Sequence, residues 1–204
     1  ADRVAVVIGT STSGISDGEA AFKHKLAHGE FPEHYHYSKQ ELGNTSEFVS
    51  QHCALTGPSY AISTACSSSG RVFLTAQRLL DSGMADAVLV GGVDTLCKLT
   101  LNGFHGLEAL STTHCKPFSA TRDGINIGEA AAFMLLSRAK LVGVNTTQDT
   151  SNIALLGCGD SSDAHHISAP HPEGNGAEQA MIKALDSAQL LSLIHISEPT
   201  RRKR

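Results

Sequence analysis

The chain has 204 residues, 41% of them hydrophobic, and a formal net charge of -4. That is enough apolar surface for a domain with a sizeable core, and the mixed charges form no basic stripe, so nucleic-acid binding has no electrostatic support. No apolar run reaches membrane-spanning length and no secretory signal is visible, while five cysteines without paired spacing argue for reduced thiols in a cytoplasm rather than a disulfide framework.

In chain order, Val4 to Ile8 reads as a buried strand, Gly9 to Gly18 as a small-residue turn, and Gly18 to Ala27 as a helix. From His28 to Gly43 the pattern dissolves into Gly, Pro, His, Tyr and charged residues, which makes a loop. Asn44-Thr45-Ser46 supplies N-cap chemistry for a helix ending near Leu55. Gly57 to Thr64 is uncharged and reads as a buried strand. Apolar residues at helical spacing follow (Val72, Phe73, Ala76, Leu79, Leu80), and Ser82-Gly83 closes that helix. Ala87 to Val90 is a further buried strand, Thr100 to Leu110 a short helix, and Ala130 to Leu136 another apolar strand. Gly143 to Ser151 is polar and marks a boundary between two halves. Beyond it Ile153 to Gly157 starts a strand and Gly176 to Leu190 forms a helix. Strands alternating with helices imply an α/β protein with a mainly parallel, covered sheet.

One cysteine stands apart. Cys66 lies in Ser63-Thr64-Ala65-Cys66-Ser67-Ser68-Ser69-Gly70, where the strand turns abruptly into the helix. A thiol placed there faces unpaired N–H groups of the helix start, which favour a thiolate. Small residues on both sides leave room for a substrate, so the segment is the thiol counterpart of the hydrolase nucleophile elbow. A free cysteine is ordinarily an inert small hydrophobe. Cys53, Cys97, Cys115 and Cys158 lack this context and keep that reading.

Thr64 to Gly70 resembles the active-site segment of the β-ketoacyl-acyl carrier protein synthases, condensing enzymes of the thiolase superfamily. Ala85 to Asp94, with its paired glycines, resembles the family's next strand. Gly103-Phe104 and Leu107 to Ser111 resemble the helix that follows. Pro117-Phe118, Arg122-Asp123-Gly124 and Gly128-Glu129 resemble a second signature. Ser161 to His166 with Pro170 resembles the loop opening the enzyme's second half. The blocks run in family order from Arg3 to about Leu190. Arg122 to Ala132 is closer to ketosynthases of bacterial aryl-polyene or fatty-acid-like clusters than to thiolases.

The resemblance implies an incomplete thiolase-like layered αβαβα fold. Residues 1–143 would be part of the N-terminal half with the nucleophile, and residues 152–190 the start of the C-terminal half. Residues 191–204, Leu191 to Arg204, resemble a translated sequencing-library adapter and are expected to be a non-native tail. In chemistry it implies an acyltransferase: Cys66 accepts an acyl group from an acyl carrier protein thioester, and the carbanion left by decarboxylation of malonyl-carrier thioester attacks it. The Cys66 N–H is a candidate oxyanion donor, and Phe104 and His166 are candidate substrate-binding residues. No cofactor and no metal is expected. Partners implied are the acyl carrier protein and a second subunit, in a homodimer or heterodimer that pairs the strand Ser59 to Thr64 across its two-fold. None of the eleven histidines matches the family's decarboxylation motifs, so the chain by itself is expected not to condense anything. The strand edge and the faces meant for a missing half are expected to be exposed and prone to aggregation.

Other constellations carry less. His34-Tyr35-His36 lacks further metal ligands at credible spacing, and Ser11, Ser13, Gly14 and Gly18 lack the Walker lysine pattern. The resemblance implies a structural role for Arg122-Asp123 and Glu129, with the two carboxylates anchoring turns around the core. Phe104 and Met134 could line an acyl pocket or be plain core. A chain-length-factor-like partner shares the fold but lacks the nucleophile, which Cys66 argues against. An unrelated cysteine hydrolase would leave the other blocks unexplained.

Overall fold

Val4-Ala5-Val6-Val7-Ile8-Gly9 has no polar side chain, and it forms an inner strand of the sheet, with every residue from Ala5 to Gly9 buried. The structure is a computed structural model and describes residues 2–138, 153–167 and 169–190. It divides into two compact units, Ala1–Lys140 and Leu141–Arg204. The polar segment Gly143 to Ser151 and the tail Leu191 to Arg204 lie outside the described residues.

In the first unit the order is β1 (Val4–Gly9), α1 (Ile15–His28), a 3-10 turn (Tyr37–Gln40), α2 (Asn44–His52), β2 (Ser59–Ile62), α3 (Ser68–Asp81), β3 (Ala87–Asp94), α4 (Lys98–Gly106) and β4 (Ala130–Ser137). The strands form one sheet in the order β2-β1-β3-β4. β1 runs parallel to both neighbours, with Val6 opposite Ser59 on one side and Leu89 on the other. β4 pairs antiparallel with β3, so the sheet is mainly parallel, as expected, with one reversed strand.

Helix α3 supplies the packing. Its apolar stripe Val72, Ala76, Leu79 and Leu80 is buried against Ala5 and Val7 of β1 and Val88 and Val90 of β3. Those sheet residues alternate along their strands and so share one face. Fully burying each of the Val and Leu side chains is worth roughly 1.5–3 kcal/mol. At the opposite end of the strands, Arg3 Nε and Nη2 donate to the two carboxylate oxygens of Asp86 at 2.6 and 2.7 Å, and Nη2 also donates to the Gly83 carbonyl. This fork fixes where β1 and β3 begin.

Asn44 is the first helical residue of α2, not its cap; the cap is Gly43, and the Ser46 hydroxyl donates back to the Gly43 carbonyl at 2.9 Å. β2 is not buried: Ser59 and Tyr60 are exposed because β2 is an edge of the sheet. β4 forms the other edge, and its residues Ala130 to Leu135 are exposed too.

The second unit contains α5 (Asn175–Ser187). Ile153 to Gly157 does not form a strand; no strand pairs with it among the described residues. The stretch from Gly157 to Asp160 lies beside α5 instead. A Cβ on Gly157 would sit 2.5 Å from the Ala188 nitrogen, and Lys183 Nζ donates to the Asp160 carbonyl at 3.0 Å. Glycine permits that close approach of backbone to a helix.

Candidate active site

Cys66 occupies the turn between β2 and α3, one residue before the N-cap Ser67. Its thiol is exposed. The turn reverses the chain through Ala65, whose φ of 52° is left-handed, a conformation that costs a non-glycine residue roughly 1–2 kcal/mol.

Serine hydroxyls hold that conformation. Ser68 Oγ accepts from the Thr64 N–H at 2.9 Å and donates to the Ala65 carbonyl at 2.6 Å. Ser67 Oγ donates to the Thr64 carbonyl at 2.8 Å. A third hydroxyl arrives from the loop after β1, where Ser11 Oγ donates to the same Ala65 carbonyl at 3.1 Å. The N–H groups of Ser67 and Ser68 are spent on the turn itself, donating to Thr64 and Ala65. So not every N–H at the helix start is open to the sulfur, as the sequence had implied. The Cys66 N–H has no acceptor among the described residues, which leaves it available to a developing oxyanion.

The seat of this helix end is made of glycine. A Cβ on Gly9 would lie 2.5 Å from the Ser68 carbonyl carbon and oxygen, and one on Gly92 would overlap the Ser69 side chain. The strands β1 and β3 therefore admit the first turn of α3 directly against their backbones. Of the paired glycines, Gly92 thus seats the nucleophile helix, whereas a Cβ on Gly91 would meet Phe133 and the Ala132 carbonyl of β4.

Carboxylates organise the neighbouring loops. Asp94 Oδ1 accepts from the Ser11 N–H at 2.7 Å, the Thr12 N–H and hydroxyl at 3.1 Å each, and the Thr10 hydroxyl at 3.3 Å. Glu19 accepts from the Lys98 and Leu99 N–H groups and so caps α4. Glu129 accepts from the Leu96 N–H at 3.1 Å, and Asp123 from the Ser111 hydroxyl at 2.9 Å. Asp123 and Glu129 thus hold turns. Sequence reading missed Asp94 and Ser11 as members of the site, because their partners lie more than eighty residues away in one case and fifty in the other.

Phe104 is half-buried on α4. His166 lies in the second unit and is exposed; there the neighbouring His165 ring rests against His171 with centroids 4.7 Å apart. A cleft of about 490 Å³ opens between α3, β3 and β4, lined among others by Ser69, Phe73, Asp94, Glu129 and Met134. Cys66 and Phe104 are not part of its lining. Among the described residues no histidine is hydrogen-bonded to the Cys66 thiol. None of their His, Cys, Asp and Glu side chains gather into a group of three that could hold a metal ion. No helix among them is long and apolar enough to cross a membrane.

Comparison with known proteins places this geometry. A chain of the complex between a ketosynthase and its chain length factor from Xenorhabdus doucetiae superposes with a TM-score of 0.83 at 46% identity, covering 94% of this chain and 46% of that one. A beta-ketoacyl synthase from Burkholderia phymatum STM815 superposes with a TM-score of 0.77 at 27% identity, covering 93% and 47%. Among curated proteins, the 3-oxoacyl-[acyl-carrier-protein] synthase 2 of Staphylococcus aureus is 32% identical over 198 residues, 92% of this chain and 48% of the relative. The chain thus spans about half the length of the curated relatives it matches. The model of the beta-ketoacyl synthase N-terminal domain matches residues 1–141, a span that runs through Cys66, its serine-braced turn and the glycine seat beneath it, and the chain belongs to the beta-ketoacyl synthase family.

Proposed function

We propose that this chain carries the acyl-accepting half of a β-ketoacyl-acyl carrier protein synthase, serving fatty-acid or polyketide biosynthesis of the aryl-polyene type. The observation that supports it best is the exposed Cys66 on a braced strand-to-helix turn. The Cys66 sulfur attacks the thioester carbonyl of an acyl carrier protein, the carrier's thiol leaves with the proton, and the acyl group stays on Cys66 as a new thioester. The Cys66 N–H donates to the oxyanion of the tetrahedral intermediate. A malonyl-carrier thioester then loses carbon dioxide, and its carbanion attacks the acyl-Cys66 carbonyl, giving the β-ketoacyl-carrier product and free Cys66. Phe104 contributes to acyl-chain binding and His166 to the substrate entrance. None of the eleven histidines matches the family's decarboxylation motifs, so the chain by itself is not expected to complete the condensation.

The functional protein is a homodimer or a heterodimer with a chain-length-factor-like subunit, in keeping with the edge position of β2. In the heterodimer the chain bearing Cys66 is the catalytic one.

Iodoacetamide labelling at neutral pH, read cysteine by cysteine after digestion, tests the assignment. Cys66 is expected to be modified ahead of Cys53, which is also exposed. Equal labelling of the two would favour the non-catalytic, chain-length-factor-like reading.

A further inference from the structure

We infer that Ser11 and Asp94 are positioning residues for the Cys66 thiol, acting together across the sheet from two strand ends far apart in sequence. The inference deepens the proposed function and rests on it only in taking Cys66 as the reacting group.

The link is continuous. Asp94 ends β3, and its Oδ1 gathers four donors from the loop that follows β1: the Thr10 hydroxyl, the Ser11 N–H, and the Thr12 N–H and hydroxyl. The Thr12 hydroxyl in turn accepts from the Thr95 N–H at 2.8 Å, tying the loop to the residue after Asp94 as well. Thr10 and Thr12 are buried, so bonds to them gain strength from the low dielectric around them. This fixes the backbone of Ser11 from both sides. The Ser11 hydroxyl then reaches the Ala65 carbonyl at 3.1 Å. That carbonyl belongs to the residue whose φ of 52° sets the direction in which Cys66 leaves the turn.

Ser68 grips the same carbonyl from the helix side. The helix side alone fixes distance along α3, whereas Ser11 fixes the turn relative to the sheet. Without Ser11 the Ala65 peptide loses a donor on its sheet side, and relief of the left-handed strain at Ala65 becomes easier. The thiol is then aimed less consistently.

A second consequence follows from the bond pattern. All four donors meet one oxygen, Oδ1, so an amide oxygen of the same reach serves as well as a carboxylate. Asp94→Asn should therefore preserve the arrangement, whereas Asp94→Ala should release it. A role depending on the negative charge of Asp94 would give the opposite ranking for Asn.

The test is iodoacetamide labelling of the full 204-residue chain and its Ser11→Ala, Asp94→Ala and Asp94→Asn variants. Exposed Cys53 serves as the internal rate reference, and Cys97, which is 3% exposed, reports on folding. The expected result is a fall of about three- to tenfold in the Cys66-to-Cys53 rate ratio for Ser11→Ala and Asp94→Ala, because the reactivity of a thiol follows its local setting and access. Asp94→Asn keeps the wild-type ratio, and Cys97 stays unlabelled throughout. A wild-type ratio near one overturns both the nucleophile assignment and the positioning role. A wild-type preference that persists in Ser11→Ala overturns the positioning role alone. Labelling of Cys97 in Ser11→Ala also overturns it, since the hydroxyl would then be holding the fold rather than the thiol.

Discussion

Ala65 carries the conformational cost that aims Cys66, and three hydrogen bonds to its carbonyl, from the Ser68 N–H, the Ser68 hydroxyl and the Ser11 hydroxyl, offset it. Cys66 was legible in the sequence because its setting is local: an uncharged strand, small residues, then a helical stripe. Ser11 and Asp94 were not, because their role exists only once β1 and β3 pair and bring positions 11 and 94 together. The same holds for Arg3 and Asp86. The hydrogen bond and charge of Arg3 hold the Asp86 carboxyl below the usual carboxylate range. The folded chain therefore binds that proton less readily than the unfolded chain. The stability Asp86 contributes is present above the ordinary carboxylate range and is lost as the pH falls through the lowered folded value. Asp86→Asn should lower the melting temperature at neutral pH, and the gap from wild type should close as the pH drops below about 4. A gap that stays constant across that range would show that the carboxylate charge is not what matters there.

At the scale of elements, α3 links the core to the candidate site. Its apolar stripe was visible from the spacing of Val72, Ala76, Leu79 and Leu80, and the structure buries that stripe. What spacing alone cannot reveal is how closely the helix start approaches the strands. Gly9 meets the Ser68 backbone, which has no freedom to rotate away, so Gly9→Ala should cost about 1–3 kcal/mol by overpacking. Gly70 lies within the same helix with open space where a Cβ would go, so Gly70→Ala should be neutral or stabilise by about 0.5–1 kcal/mol. Thermal unfolding followed by circular dichroism separates the two, and equal melting temperatures for both variants would contradict the close seat. Element boundaries failed where pairing decides them. Ile153 to Gly157 has strand composition but no strand beside it among the described residues, and β2 reads as buried from composition yet lies at an edge.

At the scale of the whole molecule, the α/β class and the thiolase-like family were legible because the motif blocks keep their order along the chain, and solved ketosynthases superpose on it. The antiparallel direction of β4 was not, since a strand of apolar residues reads the same in either direction. Both sheet edges are exposed, and Phe133, Met134 and Leu135 of β4 stand 46 to 58% open. Apolar strand edges of this kind are sites of association. In the proposed function Cys66 takes the acyl group. Incubating the chain with an acyl-carrier thioester and mapping the digest by mass spectrometry tests it most directly. The predicted result is one acyl mass added to the peptide that contains Cys66, and none on Cys66→Ala; no acylation of that peptide, or acylation spread equally over Cys53 and Cys66, would contradict it.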